Sequence, residues 1–382
     1  MNDSTINNQS LFRWLFALTT AYLAVSPLNM PILNNVFRIP SLLIIVLLIS
    51  QSYQRERYKC SFAIWSLLLI FGIHLLIDTD ITFDMLLSLF SIWAFLMLVI
   101  VSDTLSINVS TRKFINTCSI ISALVLVAYY FSPIAHLSKP HGEPMYGIYL
   151  TYGLDNSNYA GIITLLILCM LIITMEFGDK KRKVLCLLLE LVLVYFIYLT
   201  NTRAALAAAL FIPLVYVFFR KRSMPNIILF ALCCIPALFV PFYMNLGESG
   251  NVEGQEIMGK SIMSGRDEVY QEYLSTLSDP FFILIGNLQE NKFQNAHNGP
   301  LAILASSGII GVLCYFYIYL SKLLRANLNA KSLHNKMAVF VILATLINTA
   351  GEAALLLGGF PSITYLFVFF VFAQTYDTYS RG

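Results

Sequence analysis

Charge is what this chain has least of. Asp, Glu, Lys and Arg make up 12% of its residues, against about 25% in an ordinary soluble domain. With 58% hydrophobic residues, it cannot cover itself with water-seeking side chains, which excludes a soluble globular protein. Paired cysteines are lacking too. The seven present (Cys60, Cys118, Cys169, Cys186, Cys233, Cys234 and Cys314) include no CxxC pair and lie mostly in apolar runs, so neither a metal knuckle nor a disulfide framework is expected. No internal repeat, low-complexity tract or flexible linker interrupts the sequence, and residues 1–382 read as a single membrane domain. A cleavable leader is not expected, because the first apolar run follows a polar, nearly uncharged start and ends without a small-residue cleavage site. The net charge of +3 identifies no partner by itself, and nucleic acid is not among those expected.

What the chain does have is apolar length. A bilayer core of about 30 Å needs roughly 20 apolar residues per helix, and twelve stretches of about that size are present: 12–28, 31–50, 61–77, 81–101, 115–133, 159–176, 184–201, 203–219, 226–243, 299–320, 337–355 and 360–377. The seventh and eighth are separated only by the turn around Asn201, Thr202 and Arg203, which predicts a tight helical hairpin. Lys and Arg favour cytoplasmic loops. With both termini inside, only Arg38, Lys139, Arg203, Lys260, Arg266 and Lys292 of the 24 basic residues fall outside. The expected fold is therefore all-α and polytopic, with about twelve transmembrane helices and both termini cytoplasmic.

Two outward segments exceed what a turn needs. One, 134–158, carries His136, Lys139, His141, Glu143, Asp155, Asn156 and Asn158. The other, 244–298, is the largest hydrophilic stretch, with acids at Glu248, Glu253, Glu256, Asp267, Glu268, Glu272, Asp279 and Glu290; these read most simply as a solvated face. Within it, Arg266 to about Leu277 reads as a helix with Val269, Tyr273, Leu274 and Leu277 able to share an apolar face, stopped by Asp279 and Pro280.

Three residues stand out chemically. Arg203 opens a helix at membrane depth, where a guanidinium is costly unless it reaches the interface or meets an anion; it reads as a substrate contact or as an interfacial anchor. Arg266, in Ser264-Gly265-Arg266-Asp267, reads as an anion contact or as a surface ion pair with a neighbouring acid. His297, in Asn295-Ala296-His297-Asn298-Gly299-Pro300, stands where the acidic loop returns to the membrane, and imidazole is the side chain that exchanges a proton near neutral pH. A lone histidine can also be structural, and none of the other histidines (His74, His136, His141, His334) offers a second ligand at metal spacing.

The order of these features resembles the O-antigen ligase and O-antigen polymerase superfamily of bacterial envelope glycosyltransferases. The likeness rests on Leu199-Thr200-Asn201-Thr202-Arg203-Ala204-Ala205-Leu206, on Ser264 to Pro280, on Ala296 to Val312 with Gly308-Ile309-Ile310-Gly311, and on Leu154-Asp155-Asn156-Ser157-Asn158-Tyr159-Ala160-Gly161. The resemblance implies a multi-pass protein of the bacterial inner membrane with its active site facing the periplasm. It implies transfer of a glycan from an undecaprenyl diphosphate carrier to a sugar hydroxyl, without metal or nucleotide cofactor. Arg203 and Arg266 would hold the diphosphate, since a guanidinium binds phosphate oxygens bidentately; His297 would be the base for the acceptor hydroxyl and Asn298 an orienting, substrate-binding neighbour. The acceptor would be lipid A-core for a ligase, or a second carrier-linked repeat unit for a polymerase. His-Asn and Thr-Arg favour the ligase, whereas the stretch from Arg266 to His297 is shorter than in typical ligases. A different class, a transporter or flippase binding an anion between two halves, would need paired broken helices and a charged midplane site, and the sequence shows neither.

Overall fold

The computed structural model describes residues 3–28, 31–77, 82–105, 107–133, 151–152, 157–249, 255–257, 260–263, 265–276, 280–287, 297–353 and 359–374. Its helices are α1 (Asp3–Val25), α2 (Pro31–Ser52), α3 (Arg57–Ile77), α4 (Phe83–Val101), α5 (Val109–Tyr130), α6 (Ser157–Thr174) and α7 (Lys180–Leu199). They continue with α8 (Arg203–Phe219), α9 (Asn226–Glu248), α10 (Arg266–Thr276), α11 (Pro280–Ile285), α12 (Gly299–Asn329), α13 (Leu333–Asn348) and α14 (Gly359–Gln374). Each of the twelve apolar stretches lies largely on one of these helices. Seven helical stretches among the described residues are long and apolar enough to cross a membrane, and the apolar helices in α4, α8, α13 and α14 are shorter. The protein is thus an all-α, polytopic membrane protein. A twelve-span topology requires the four shorter helices and α7 to cross as well.

Local sequence sets the helix starts. Asn108 caps α5 by accepting from Thr111 N at 2.8 Å, and Asp179 caps α7 by accepting from Arg182 N at 2.8 Å, satisfying amides that have no partner inside the helix. α6, α13, α14 and the second half of α4 are buried on nearly every side, as expected of helices apolar all round. α2, α3 and α9 turn large apolar side chains outward, among them Leu43, Val46, Trp65, Leu69, Phe230 and Leu238. Such a shell suits lipid rather than water.

Three features depart from the sequence reading. The stretch read as one helix over 299–320 is longer, and it is broken at Gly308, whose φ of 59° and ψ of −165° are not helical. The cause is α11, which falls within the stretch expected to be a hydrophilic loop. This short apolar helix lies against α12, so that a Cβ on Gly308 would overlap the Leu284 carbonyl, and one on Gly286 (φ 82°) would stand 2.5 Å from Ser307 N. Asn287 N donates to Ala305 O at 2.6 Å, and His74 Nε2 bonds Ile285 O at 3.1 Å, so neighbouring groups take up backbone freed by the break. The third departure is the face of α10. Tyr270 and Tyr273 are its buried side chains and Val269 packs beside them, while Leu274 is exposed; Leu277 and Asp279 lie outside the described residues. So do residues 134–150, with His136, Lys139, His141 and Glu143, and Asp155 and Asn156.

The two ends of the bundle differ in charge. Lys180 to Lys183, Arg220 to Arg222, Arg325, Lys331 and Lys336 gather at the end formed by the start of α7 and α9 and the finish of α8 and α12. There Lys322 pairs with Asp103 at 2.8 Å, and Arg325 with the same carboxylate at 3.0 Å. The opposite end holds Arg203, Arg266 and His297.

Candidate active site

At that opposite end, the turn between α7 and α8 aims Arg203. Asn201 takes the left-handed conformation (φ 53°), which asparagine tolerates better than most residues. Thr200 Oγ1 donates to Thr202 Oγ1 at 3.0 Å, and Thr202 Oγ1 donates to Ser157 O at 3.0 Å. Gly161 of α6 lies so close that a Cβ there would overlap Thr202 and stand 2.8 Å from Thr200 Oγ1. The matching stretches around Thr-x-Thr-Arg and Tyr159-Ala160-Gly161 are therefore two sides of one contact. Arg203 then reaches Ser261 O through Nη2 at 3.1 Å.

Ser261 belongs to a two-strand hairpin, β1 (Glu256–Ile257) paired antiparallel with β2 (Lys260–Ser261). The Tyr243 hydroxyl from the end of α9 holds the next residues, donating to the carbonyls of Ile262, at 2.6 Å, and Met263. Gly265 follows in the left-handed region (φ 69°), and Arg266 starts α10. Tyr270 of that helix stacks edge-on against Tyr243 at 5.7 Å and donates to His297 O at 3.3 Å. Burial pushes the Tyr270 phenol up, with the nearby Arg266 charge partly offsetting it.

Residues 297–299 run beside the residues that end α13. Gly299 N donates to Thr349 O at 2.8 Å, Asn298 Nδ2 donates to Ala350 O at 3.0 Å, and His297 Nδ1 meets Glu352 Oε2 at 3.3 Å. The seam joins in space two segments far apart in sequence. Its last member, Glu352, is 5% exposed. Its other oxygen, Oε1, accepts from Arg266 Nη2 at 3.1 Å. A side chain on Gly351 would be crowded there, since a Cβ would stand 3.0 Å from Ala204 Cβ and 3.4 Å from Arg266 Nη1. Gly351 and Glu352 are thus where the start of α8, the start of α10 and His297 converge.

Of the four residues singled out from sequence, Arg203, Arg266 and His297 stand in this region, with Arg266 and His297 joined through one carboxylate. The Arg266 partner is not the neighbouring Asp267 but an acid 86 positions away in the chain. Asn298 has a different placement. It is fully buried, caps α12 by accepting from Leu301 N at 2.9 Å, and donates to Pro236 O at 2.8 Å as well as to Ala350 O. Its side chain holds backbone. The residue that sequence reasoning missed is Glu352. The signal was available, since it is the only acid in the apolar stretch 337–355, and an ionisable side chain in such a stretch marks a site by default.

A membrane-embedded helical bundle with a guanidinium, a carboxylate and an imidazole at one end defines a polytopic protein equipped to bind an anion and move a proton beside it. Within that class, residues 188–316 match the family model described as O-antigen ligase. The matched segment runs from α7 to the middle of α12 and contains Arg203, Arg266, His297 and Asn298. The resemblance to the O-antigen ligase and polymerase superfamily is thereby supported from the comparison as well as from the motifs. No curated protein matches the chain.

Proposed function

We propose that the protein is an O-antigen ligase, which transfers a polysaccharide from undecaprenyl diphosphate to lipid A-core on the periplasmic face of the inner membrane, with no metal in the reaction. The observation that carries this reading is the meeting of Arg266 and His297, both inside the segment bearing the ligase-family match, on one carboxylate that the chain supplies from beyond it. Arg203 and Arg266 hold the diphosphate of the donor, each as a two-pronged donor to phosphate oxygens. His297 takes the proton of the acceptor hydroxyl as its oxygen attacks the anomeric carbon of the donor sugar. The bond from that carbon to the diphosphate oxygen breaks, and the two arginines stabilise the charge that leaves with undecaprenyl diphosphate. Asn298 orients His297 through the backbone it caps.

The acceptor sets the second reading. A polymerase passes the chain to another carrier-linked repeat unit, and the stretch from Arg266 to His297, shorter than in typical ligases, keeps that acceptor open. The test is a gel profile of lipopolysaccharide from a host lacking the gene, complemented with the wild type or with Arg203→Ala, Arg266→Ala or His297→Ala. Bare core with long glycan retained on the carrier supports the ligase; core bearing one repeat unit supports the polymerase. An unchanged ladder in the deletion overturns both.

A further inference from the structure

Resting on that functional reading, we infer that Glu352 is the positioning residue of the site: it fixes the tautomer of His297 and is handed over to it when Arg266 engages the donor diphosphate. An arginine side chain only donates, and its guanidinium stays charged. The Glu352 oxygen at 3.1 Å from Arg266 Nη2 is therefore an acceptor, and a guanidinium at that distance favours the carboxylate form as its partner. An ionised carboxylate only accepts as well, so the second oxygen, at 3.3 Å from His297 Nδ1, requires the proton to sit on Nδ1. The lone pair is then left on Nε2, the nitrogen that faces away from Glu352 and can take a proton from a hydroxyl. A carboxylate held this way also stabilises the imidazolium that forms.

A buried carboxylate needs donor partners on its oxygens. Glu352 has two, one from α10 and one from the residue before α12, and each uses a different oxygen. Among the described residues, Glu352 meets the His297 ring, the Tyr270 hydroxyl donates to the His297 carbonyl oxygen, and Arg266 stands on the other oxygen of Glu352. Before a donor binds, the carboxylate divides its charge between Arg266 and His297. A diphosphate competes for the same guanidinium, and each degree to which Arg266 turns to phosphate leaves more of the carboxylate to the imidazole. Donor binding and readiness of the base are then linked through one side chain.

The experiment compares full-length wild type with Glu352→Gln and Glu352→Asp in lipid nanodiscs, using undecaprenyl diphosphate as the binding probe and glycan transfer to lipid A-core as the rate. Glu352→Gln should lower kcat by on the order of a hundredfold or more, while binding the probe at least as tightly as wild type because Arg266 is no longer shared. Glu352→Asp should recover part of the rate. In ring-labelled 15N-histidine spectra, the His297 signal, assigned by its loss in His297→Ala, should show protonated Nδ1 in the wild type and a mixture of tautomers in Glu352→Gln. A Glu352→Gln protein within threefold of wild-type kcat, or with an unchanged His297 signal, overturns the inference; so does one that loses probe binding along with turnover. Transfer that survives His297→Ala sinks the functional reading instead, and the tautomer spectrum still decides the part played by Glu352.

Discussion

The carbonyl of Leu284 occupies the space where a side chain on Gly308 would begin. The glycine is also held at a φ of 59° and ψ of −165°, a region that only glycine enters without strain. Gly308→Ala should therefore lower stability by about 3 kcal/mol or more, adding backbone strain to overpacking. Gly72, in α3, has nothing within 4 Å of the point where a Cβ would stand, and Gly72→Ala should be neutral or raise stability by up to about 1 kcal/mol. Thermal unfolding in detergent distinguishes the two; equal behaviour would remove the close approach of α11 as the reason for the break.

Asn298 should matter for stability before it matters for substrate. Asn298→Ala removes a helix cap, worth about 1 kcal/mol, and strips two buried carbonyls of their donor, at about 1 to 3 kcal/mol each. Asn298→Asp keeps the capping oxygen and loses the donor, so its loss should be intermediate unless the new charge is neutralised by protonation. Unfolding curves with undecaprenyl diphosphate absent give the answer, and an Asn298→Ala protein as stable as wild type would mean that the side chain serves the substrate alone.

The two arginines should respond differently to lysine and to alanine. Lysine keeps the charge and loses the planar fork. Arg203→Lys and Arg266→Lys are expected to cut transfer by about tenfold, and the alanine variants by on the order of a hundredfold or more. Rates measured with purified protein and carrier-linked donor test this. Lysine variants indistinguishable from wild type would show that point charge, not bidentate geometry, is what the diphosphate needs.

Alkaline pH should loosen α10. Burial raises the phenols of both Tyr270 and Tyr273, so the folded state holds these protons more tightly than the unfolded chain. Their contribution to stability is complete below the unfolded value of about 10 and is lost as pH rises above it. Tyr270→Phe, which gives up the bond to His297 O at 3.3 Å, should cost about 1 kcal/mol at neutral pH yet fall less steeply above pH 10. Melting temperatures taken across that range would show parallel lines for wild type and variant if the phenol does not titrate on unfolding.

The parts of this molecule that could be read from sequence are those that one segment specifies alone. Runs of about 20 apolar residues announce their helices whatever lies beside them, and Asn201 between two such runs announces a hairpin. The helix that starts at Arg266 was legible from the spacing of Val269 and Tyr273 along it. The break at Gly308 was not, because a glycine followed by Ile309, Ile310 and Gly311 in an apolar stretch reads equally well as close helix packing, and only the position of α11 decides. Glu352 could be marked from sequence as the one acid of its apolar stretch, but its role could not be read there. Its meaning comes from Arg266 and His297, which are far from it along the chain and adjacent to it only once α8, α10, α12 and α13 have assembled.

The seam between residues 297–299 and 349–352 sets a boundary on how this protein can be recombined. The segment that carries the family match ends at residue 316, before the strip of chain that receives His297, Asn298 and Gly299. A chimera exchanging only that segment would import both guanidinium groups and the imidazole while keeping the host's own strip. Its activity would turn on whether the foreign beginning of α12 stays in register with that strip. In grafting terms, the smallest transferable unit is discontinuous, and it includes the end of α13.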